Sequence, residues 1–218
     1  MLKALRGEIY LFIGALLFAF NGIIAKIVLV DGLSAWRLTQ IRTGGAFLLL
    51  FAFHFALRRH ELKTTRSELT WLIAFGIVGV ALVQAFYFVA IERMYVGVAL
   101  LIEFTAPIWI LLFLRFVLKK RVPAALWYAI ILSFSGLLMI TQIWNGLSLD
   151  RLGLVAAILD ALSLAAYFLI GDKLGKTKST GSIMTWGFGV TSLFLIFALH
   201  AHLHTLVKRI SRCKRNGE

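Results

Sequence analysis

The chain has 218 residues, of which 61% are apolar and only 15% are charged, and its mean hydropathy is +0.90. Soluble domains carry about 25% charged residues, so this chain has too little polar surface to cover itself in water. The composition excludes a disordered chain, and a single cysteine, Cys213, excludes a disulfide scaffold. The formal charge of +13 comes mainly from cations between apolar runs, a pattern that membrane insertion explains without nucleic acid.

Seven apolar runs approach or reach the length of about 20 residues that a transmembrane helix requires. Turn signals such as Asp31-Gly32 and Asn145-Gly146 separate the runs, and strand-like alternation is absent over any useful length. We therefore expect an all-α polytopic membrane protein with about seven transmembrane helices. In chain order the predicted spans cover residues 9–30, 35–57, 69–91, 96–118, 124–143, 152–171 and 182–199.

The distribution of positive charge predicts the orientation. The N-terminal segment and the second, fourth and sixth loops together hold twelve lysine and arginine residues, whereas the first, third and fifth loops hold three. Cytoplasmic loops carry the excess of positive charge in membrane proteins. We therefore expect a multi-pass protein of the inner (plasma) membrane whose N-terminus is cytoplasmic.

A weak internal repeat suggests how the spans are organised. The segment Phe18-Ala19-Phe20, followed by Lys26, resembles Ala165-Ala166-Tyr167, followed by Lys173. The two copies begin in the first and sixth predicted spans, an offset of five, so their leading helices run in opposite directions. Chance similarity between apolar helices is the alternative explanation. An inverted repeat is a frequent plan of secondary transporters, which place substrate near the middle of the membrane.

Three segments carry a resemblance to a known family. They are "WRLTQIR" at 36–42, the run from Tyr95 to Val122 that contains Pro107, and "FSGLLMI" at 134–140. These segments resemble the second, fourth and fifth helices of EamA-type members of the drug/metabolite transporter superfamily. The resemblance implies ten helices in two inverted five-helix repeats, which move small metabolites or drugs, with export as the expected direction.

Measured against that family pattern, the chain divides into three parts. Residues 1–148 correspond to a complete first repeat, and residues 149–200 correspond to two helices of the second. Residues 201–218 form a basic tail that does not resemble the family. Five cations of this tail would lie outside the cytoplasm after a seventh span, against the positive-inside bias, so we expect a shortened or frame-shifted product. A native cytoplasmic tail that follows a seventh segment which does not cross the membrane is the alternative.

One acidic residue lies deep in the fourth predicted span. Glu103 is about 10 Å from the start of that span at 1.5 Å per residue. Pro107, four residues later, has no N–H, so the Glu103 carbonyl loses its helical hydrogen-bond partner. A carboxylate and a freed carbonyl at one level can bind a proton, a cation or an amine. A structural ion pair that holds helices together is the alternative.

Other polar side chains within the spans complete a predicted substrate site, because buried polar groups usually face the bundle or a water-filled path. We expect Arg42 to face an acidic partner, with Glu103 nearest by depth. Asn21 is either an interhelical hydrogen-bond donor or a ligand group. The full set of predicted substrate-binding residues is Asn21, Arg42, Gln84, Tyr87, Glu103, Asp160 and Tyr167.

The sequence does not predict an enzyme. It lacks the common hydrolase, zinc-protease, phosphate-loop and dinucleotide-binding motifs. An intramembrane aspartyl protease would need two facing aspartates, but Asp172 lies at a helix end beside Lys173. The trio His200, His202 and His204 lacks further metal ligands, so we expect no metal site and no cofactor.

These observations favour a secondary transporter of small metabolites or drugs that works by alternating access, here incomplete. The alternative is a non-transporting membrane scaffold, or a half transporter that needs a second subunit. The expected partners are therefore a small-molecule substrate, the lipid bilayer and possible further subunits, either a second copy or a different chain, and no nucleic acid.

Overall fold

The computed structural model describes residues 2–140 and 150–215, and every regular element in these two ranges is helical. Five helical segments are long and apolar enough to cross a membrane: Arg37–Leu57, Arg66–Arg93, Val96–Val117, Arg151–Gly175 and Thr180–Ala198. Two shorter apolar helices, Gly7–Leu17 and Ala124–Met139, overlap the first and fifth predicted spans. The prediction of an all-α polytopic membrane protein is confirmed.

The α-helices are numbered in chain order over the described ranges. They are α1 (Leu2–Val30), α2 (Ala35–Leu57), α3 (Arg66–Ala74), α4 (Leu82–Arg93), α5 (Val96–Glu103), α6 (Ala106–Leu112), α7 (Ala124–Ile140), α8 (Arg151–Gly175) and α9 (Thr180–Arg215). Helix α9 continues well beyond the seventh predicted span, so most of the basic tail extends that helix rather than following it.

Two spans are not regular α-helices. In the third span a π-helical segment, Phe75–Ala81, joins α3 to α4. In the fourth span α5 ends at Glu103, and α6 begins at Ala106 with Pro107 in its first turn. The expected interruption near this proline is therefore present, because proline cannot donate to the carbonyl four residues earlier.

The chain forms two compact units. Met1–Leu38 contains α1 and the start of α2, and Thr39–Glu218 contains all the later elements. Within the second unit, α8 lies against α4, α5 and α6, while α9 lies against α3 and the Phe75–Ala81 segment. Helix α8 is therefore the central helix of this unit.

Small residues let α9 approach the Phe75–Ala81 segment closely. A Cβ added to Gly76 would lie 2.7 Å from the Cβ of Val190, and one added to Gly187 would lie 2.8 Å from the Phe75 ring. The buried hydroxyl of Thr191 donates a hydrogen bond of 2.6 Å to the Gly76 carbonyl oxygen. Packing and a hydrogen bond thus hold the π-helical segment against α9.

At one end of this unit, polar contacts join the α2–α3 connection to the start of α9. The Lys178 ammonium donates to the Lys63 carbonyl oxygen at 2.6 Å, and the Ser182 hydroxyl donates to the Glu61 carbonyl oxygen at 2.7 Å. The Ser179 hydroxyl donates to the Glu61 carboxylate. We call these three hydrogen bonds the loop clasp. The clasp links residues that are 115 to 121 positions apart in the chain.

Glu61 is the ionisable centre of the loop clasp. Its carboxylate lies 3.1 Å from Nη1 of Arg58 and 3.8 Å from Nε2 of the buried His54. His54 in turn lies 3.2 Å from the Thr185 hydroxyl through Nδ1. The hydrogen bond from Ser179, helped by Arg58 and His54, holds the pKa of the Glu61 carboxyl below its ordinary value.

The lowered pKa of Glu61 predicts acid sensitivity. A carboxyl whose pKa is lower in the folded state stabilises that state above its ordinary pKa of 4.5, and this stabilisation is lost as the pH falls through the lowered value. We expect Glu61→Gln to reduce the Tm of detergent-solubilised protein at pH 7 and to flatten its decline below pH 4.5. The exposed carboxylate of Asp172 provides the control Asp172→Asn. If the Tm of Glu61→Gln fell with decreasing pH as steeply as that of the wild type, the Glu61 carboxylate would not be the source of the acid sensitivity.

Candidate functional site

A cluster of small residues brings α4, α5 and α8 together. Ala90 of α4, Ala99 of α5 and Ala156 and Ala157 of α8 are all buried in one apolar cluster, together with Met94. Alanine side chains allow helix axes to approach closely in a membrane. The three helices are therefore in contact over the turns next to the polar groups described below.

Three polar side chains lie about one helical turn beyond this cluster. Glu103 follows Ala99 by four residues, Asp160 follows Ala156 by four, and Tyr87 precedes Ala90 by three. Residues three or four apart share a helix face, so all three side chains project from the contacting faces. At 1.5 Å per residue they lie about 9 to 14 Å from the nearer ends of the segments Arg66–Arg93, Val96–Val117 and Arg151–Gly175, well within the hydrocarbon.

Glu103 and Asp160, which we call the carboxylate pair, are buried. Only 8% of Glu103 and 1% of Asp160 is exposed. Oε2 of Glu103 and Oδ1 of Asp160 have no hydrogen-bond partner among the described residues. A buried polar atom without a partner costs about 1–3 kcal/mol, and a charged one costs more. These two oxygen atoms are therefore available to a ligand that donates hydrogen bonds or carries positive charge.

Arg42 supplies a positive charge beside this site. Its guanidinium carbon lies 5.8 Å from the centre of the fully buried Phe88 ring, and Tyr87 interacts electrostatically with Arg42 and with the carboxylate pair. The described residues show no ion pair between Arg42 and Glu103, and an acidic partner for Arg42 stays a prediction. Equal depth placed the two residues at one level, but the guanidinium points to an aromatic ring.

The remaining predicted site residues lie apart from the carboxylate pair. Gln84 is half-buried on α4, about one turn before Tyr87. Tyr167 lies about 10 Å along α8 from Asp160, where its ring stacks on Phe75 at 4.9 Å and its hydroxyl lies 3.8 Å from the sulfur of Met184. The side chain of Asn21 lies outside the described residues. The structure thus brings together Arg42, Tyr87, Glu103 and Asp160.

Two features of the described residues were not predicted from the sequence. Phe88 was one aromatic residue among many, and only its contact with Arg42 distinguishes it. The buried Nε1 of Trp186 also lacks a hydrogen-bond partner in the described ranges. A pattern of apolar residues cannot identify either feature, because both depend on which side chains meet across helices.

An apolar cavity of about 510 Å³ lies between the fourth span and α7. Phe104 and Pro107, which follow Glu103 closely in the chain, line one side, and Ile130 and Phe134 of α7 line the other. The cavity is large enough for a small organic molecule. Its lining does not include the carboxylate pair, so it is a neighbouring volume rather than the polar site itself.

The described residues contain no group of three or more histidine, cysteine, aspartate or glutamate side chains that could hold a metal ion. The side chains of His200, His202 and His204 lie outside the described residues.

Comparisons with known proteins agree with the resemblance seen in the sequence. A model of the EamA-like transporter family matches residues 5–142. The chain is also 24% identical, over 196 residues, to a Salmonella typhimurium LT2 protein named uncharacterized inner membrane transporter YicL. That alignment covers 88% of this chain, and the chain spans 65% of the relative's length. No solved structure gives a significant match.

The alanine cluster predicts a stability test. Ala157 is fully buried where α8 meets α4 and α5, so Ala157→Leu adds volume that the interface cannot accept. We expect a loss of about 1–3 kcal/mol, seen as a lower Tm in detergent. Val155 on the same helix is 53% exposed, and Val155→Leu is the matched control, with an expected change below about 0.5 kcal/mol. Equal Tm values for the two variants would show that the helices are not in close contact there.

Proposed function

Because this chain belongs to the EamA-like transporter family, we propose that it takes part in secondary transport of small organic molecules across a membrane. The observation that carries this proposal is the carboxylate pair, in which two buried acidic side chains each have an oxygen atom with no hydrogen-bond partner among the described residues. Ionisable residues inside a membrane are costly and usually serve a transport path. We assign the substrate site to the carboxylate pair, Arg42 and Tyr87.

The proposed mechanism is alternating access around this site. The site lies toward one end of its helices, and the loop clasp lies at the opposite end of the same unit, where it ties the α2–α3 connection to α9. Opening a path to the clasp side requires these hydrogen bonds to break. In this proposal, the first repeat (residues 1–148) moves against residues 149–200, and substrate is exported.

The proposed location is the inner membrane, with a cytoplasmic N-terminus. The relative from Salmonella typhimurium is named an inner membrane transporter, and the excess of cations in alternate loops supports this orientation. The loop clasp then faces the cytoplasm. Transport, rather than an enzymatic reaction, is the activity that we assign to the buried polar groups.

A half transporter completed by a second subunit is the second candidate function. A non-transporting scaffold is a weaker candidate, because packing alone gives no reason to bury two acidic groups without partners.

The carboxylate pair provides the test of transport. We expect proteoliposomes to take up members of a panel of labelled amino acids, nucleosides and organic amines. Flux should fall by at least about tenfold in Glu103→Gln, the equivalent of about 1.4 kcal/mol. The exposed Glu92 of α4 gives the matched control Glu92→Gln, which should retain flux.

The same assay separates the candidate functions. Flux by this chain alone supports a self-sufficient transporter, and flux only after addition of a full-length relative supports the half transporter. No flux in either condition, with well-folded protein in the bilayer, would contradict both.

A further inference from the structure

The apolar cavity beside the fourth span follows one face of α7 over most of its length. The α7 residues that line it recur at helical spacing and are Leu126, Ala129, Ile130, Ser133, Phe134 and Leu137. At 1.5 Å per residue they cover about 16 Å, which is close to half of the roughly 30 Å hydrocarbon core of a bilayer. The cavity therefore has the length of the acyl-chain region of one leaflet.

The interrupted fourth span forms the other wall of the cavity. Phe104, which follows α5, and Pro107, in the first turn of α6, both line it. Helix α7 packs against α5, before the interruption, and the cavity lies beside α6, after it. Phe104 and Leu126 are about half-exposed, so the cavity is not sealed. An open apolar cavity along a membrane span is accessible to hydrocarbon chains.

Four cations, which we call the cation cluster, lie where α7 begins. Lys119, Lys120 and Arg121 come three to five positions before the helix, and Arg115 lies about one turn earlier on the fourth span. All four side chains are exposed. Leu126, the first α7 residue that lines the cavity, follows Arg121 by five positions. The positive charge is therefore at one end of the cavity.

The cation cluster is not compensated by ion pairs within the described residues. None of its four members takes part in the ion pairs that these residues form. The sequence also has no acidic residue between Glu103 and Asp150. Positive charge at one end of an apolar cavity complements a molecule that has an anionic head and a hydrocarbon tail.

Two aromatic residues place the cation cluster at the level of lipid headgroups. Trp127 and Tyr128 lie about one turn into α7, and 73% of Tyr128 is exposed. Tryptophan and tyrosine are enriched where a membrane meets water. In the predicted orientation this end of α7 is cytoplasmic, and anionic lipids of the cytoplasmic leaflet attract lysine and arginine residues next to membrane spans.

The backbone of Lys119 adds an independent observation. Its φ of +52° lies in the left-handed region, which glycine adopts without steric cost. The turn is closed by a hydrogen bond of 2.9 Å from the Lys120 N–H to the Leu114 carbonyl oxygen. Glycine would fit this turn better than lysine. The side chain of Lys119 therefore contributes something that the turn itself does not require.

We propose that an anionic phospholipid binds here, with one acyl chain in the apolar cavity and its phosphate against the cation cluster. The positive-inside bias accounts for cations in this loop. It does not account for the cavity beside them or for a lysine in a left-handed turn. The inference does not depend on the transport proposal, because lipid binding is measured without flux.

Native mass spectrometry of the full chain in detergent tests lipid binding. The probes are dioleoyl phosphatidylglycerol, which is anionic, and dioleoyl phosphatidylethanolamine, which has the same acyl chains and no net charge. We expect one phosphatidylglycerol to bind with a Kd at least about tenfold lower than that of phosphatidylethanolamine, a preference that weakens as salt is raised. Glycerol 3-phosphate should not displace the lipid, because it has no acyl chain.

A charge variant tests the headgroup contact. Lys120→Gln/Arg121→Gln should reduce the preference for phosphatidylglycerol to about twofold or less. Its matched control is Lys63→Gln/Arg66→Gln, which removes the same charge from exposed positions of another predicted cytoplasmic loop and should keep the preference.

A pair of serine variants tests the cavity. Ser133 lines the cavity, whereas Ser135 is exposed on the opposite face of α7. Ser133→Phe should raise the Kd of phosphatidylglycerol by at least about tenfold, because the ring excludes part of the acyl chain. Ser135→Phe makes the same substitution outside the cavity and should leave the Kd unchanged.

Lys119→Gly separates the charge of this residue from its backbone conformation. The variant should have an equal or higher Tm in lipid-free detergent, because glycine adopts the left-handed turn freely. Its preference for phosphatidylglycerol should nevertheless fall by about fivefold. An unchanged preference would show that the Lys119 charge does not contact the lipid.

The outcomes that would overturn the proposal are distinct. Equal binding of the two lipids by the wild type overturns the anionic class, and displacement by glycerol 3-phosphate overturns the acyl-chain contact. Wild-type binding by both Lys120→Gln/Arg121→Gln and Ser133→Phe overturns the site. A lipid-free dimer that Ser133→Phe dissociates would show that a second copy covers the cavity instead. If gel filtration shows that a variant is misfolded, the two wild-type comparisons still decide.

Discussion

The close approach of α8 to α4 and α5 is the contact on which the candidate site depends. It is possible because alanines occupy the meeting faces, and Ala157 is completely buried there. Larger side chains at these positions would separate the helices, and water or lipid could then reach the acidic groups one turn away. The same short interaxial distance that packs the helices therefore also keeps Glu103 and Asp160 away from solvent.

Burial gives these acidic groups a property that a surface carboxylate lacks. In a medium of low dielectric constant, an uncompensated charge interacts strongly with any ion that enters, so small changes in occupancy have large energetic effects. The loop clasp shows the opposite arrangement. There the Glu61 carboxylate accepts hydrogen bonds from Arg58 and Ser179 and lies 3.8 Å from His54, and its charge is compensated within the protein. Among the described residues, Glu61 therefore has its hydrogen-bond donors, whereas Glu103 and Asp160 each have an oxygen atom without one.

The sequence predicted the helical architecture and the depth of the polar residues, because both depend on position along one helix. It placed Glu103 and Asp160 inside spans, and it anticipated the interruption near Pro107. It did not predict which faces meet. Arg42 was therefore paired with Glu103 on depth alone, although its guanidinium lies over Phe88. The loop clasp was not anticipated either, because its partners are more than a hundred residues apart and their residue types are common in loops.

The π-helical segment Phe75–Ala81 has a consequence for how this chain can change during evolution. A π turn contains an additional residue relative to an α turn, and each residue of a helix corresponds to a rotation of about 100°. Deleting one residue there would leave the span long and apolar enough to cross the bilayer. Because the wider turn accommodates that residue, its loss would return the segment to a regular α-helix and leave Tyr87 and Phe88 at nearly the same angle relative to α3. A single-residue deletion in this segment would thus remove the π turn while preserving both the topology and the site.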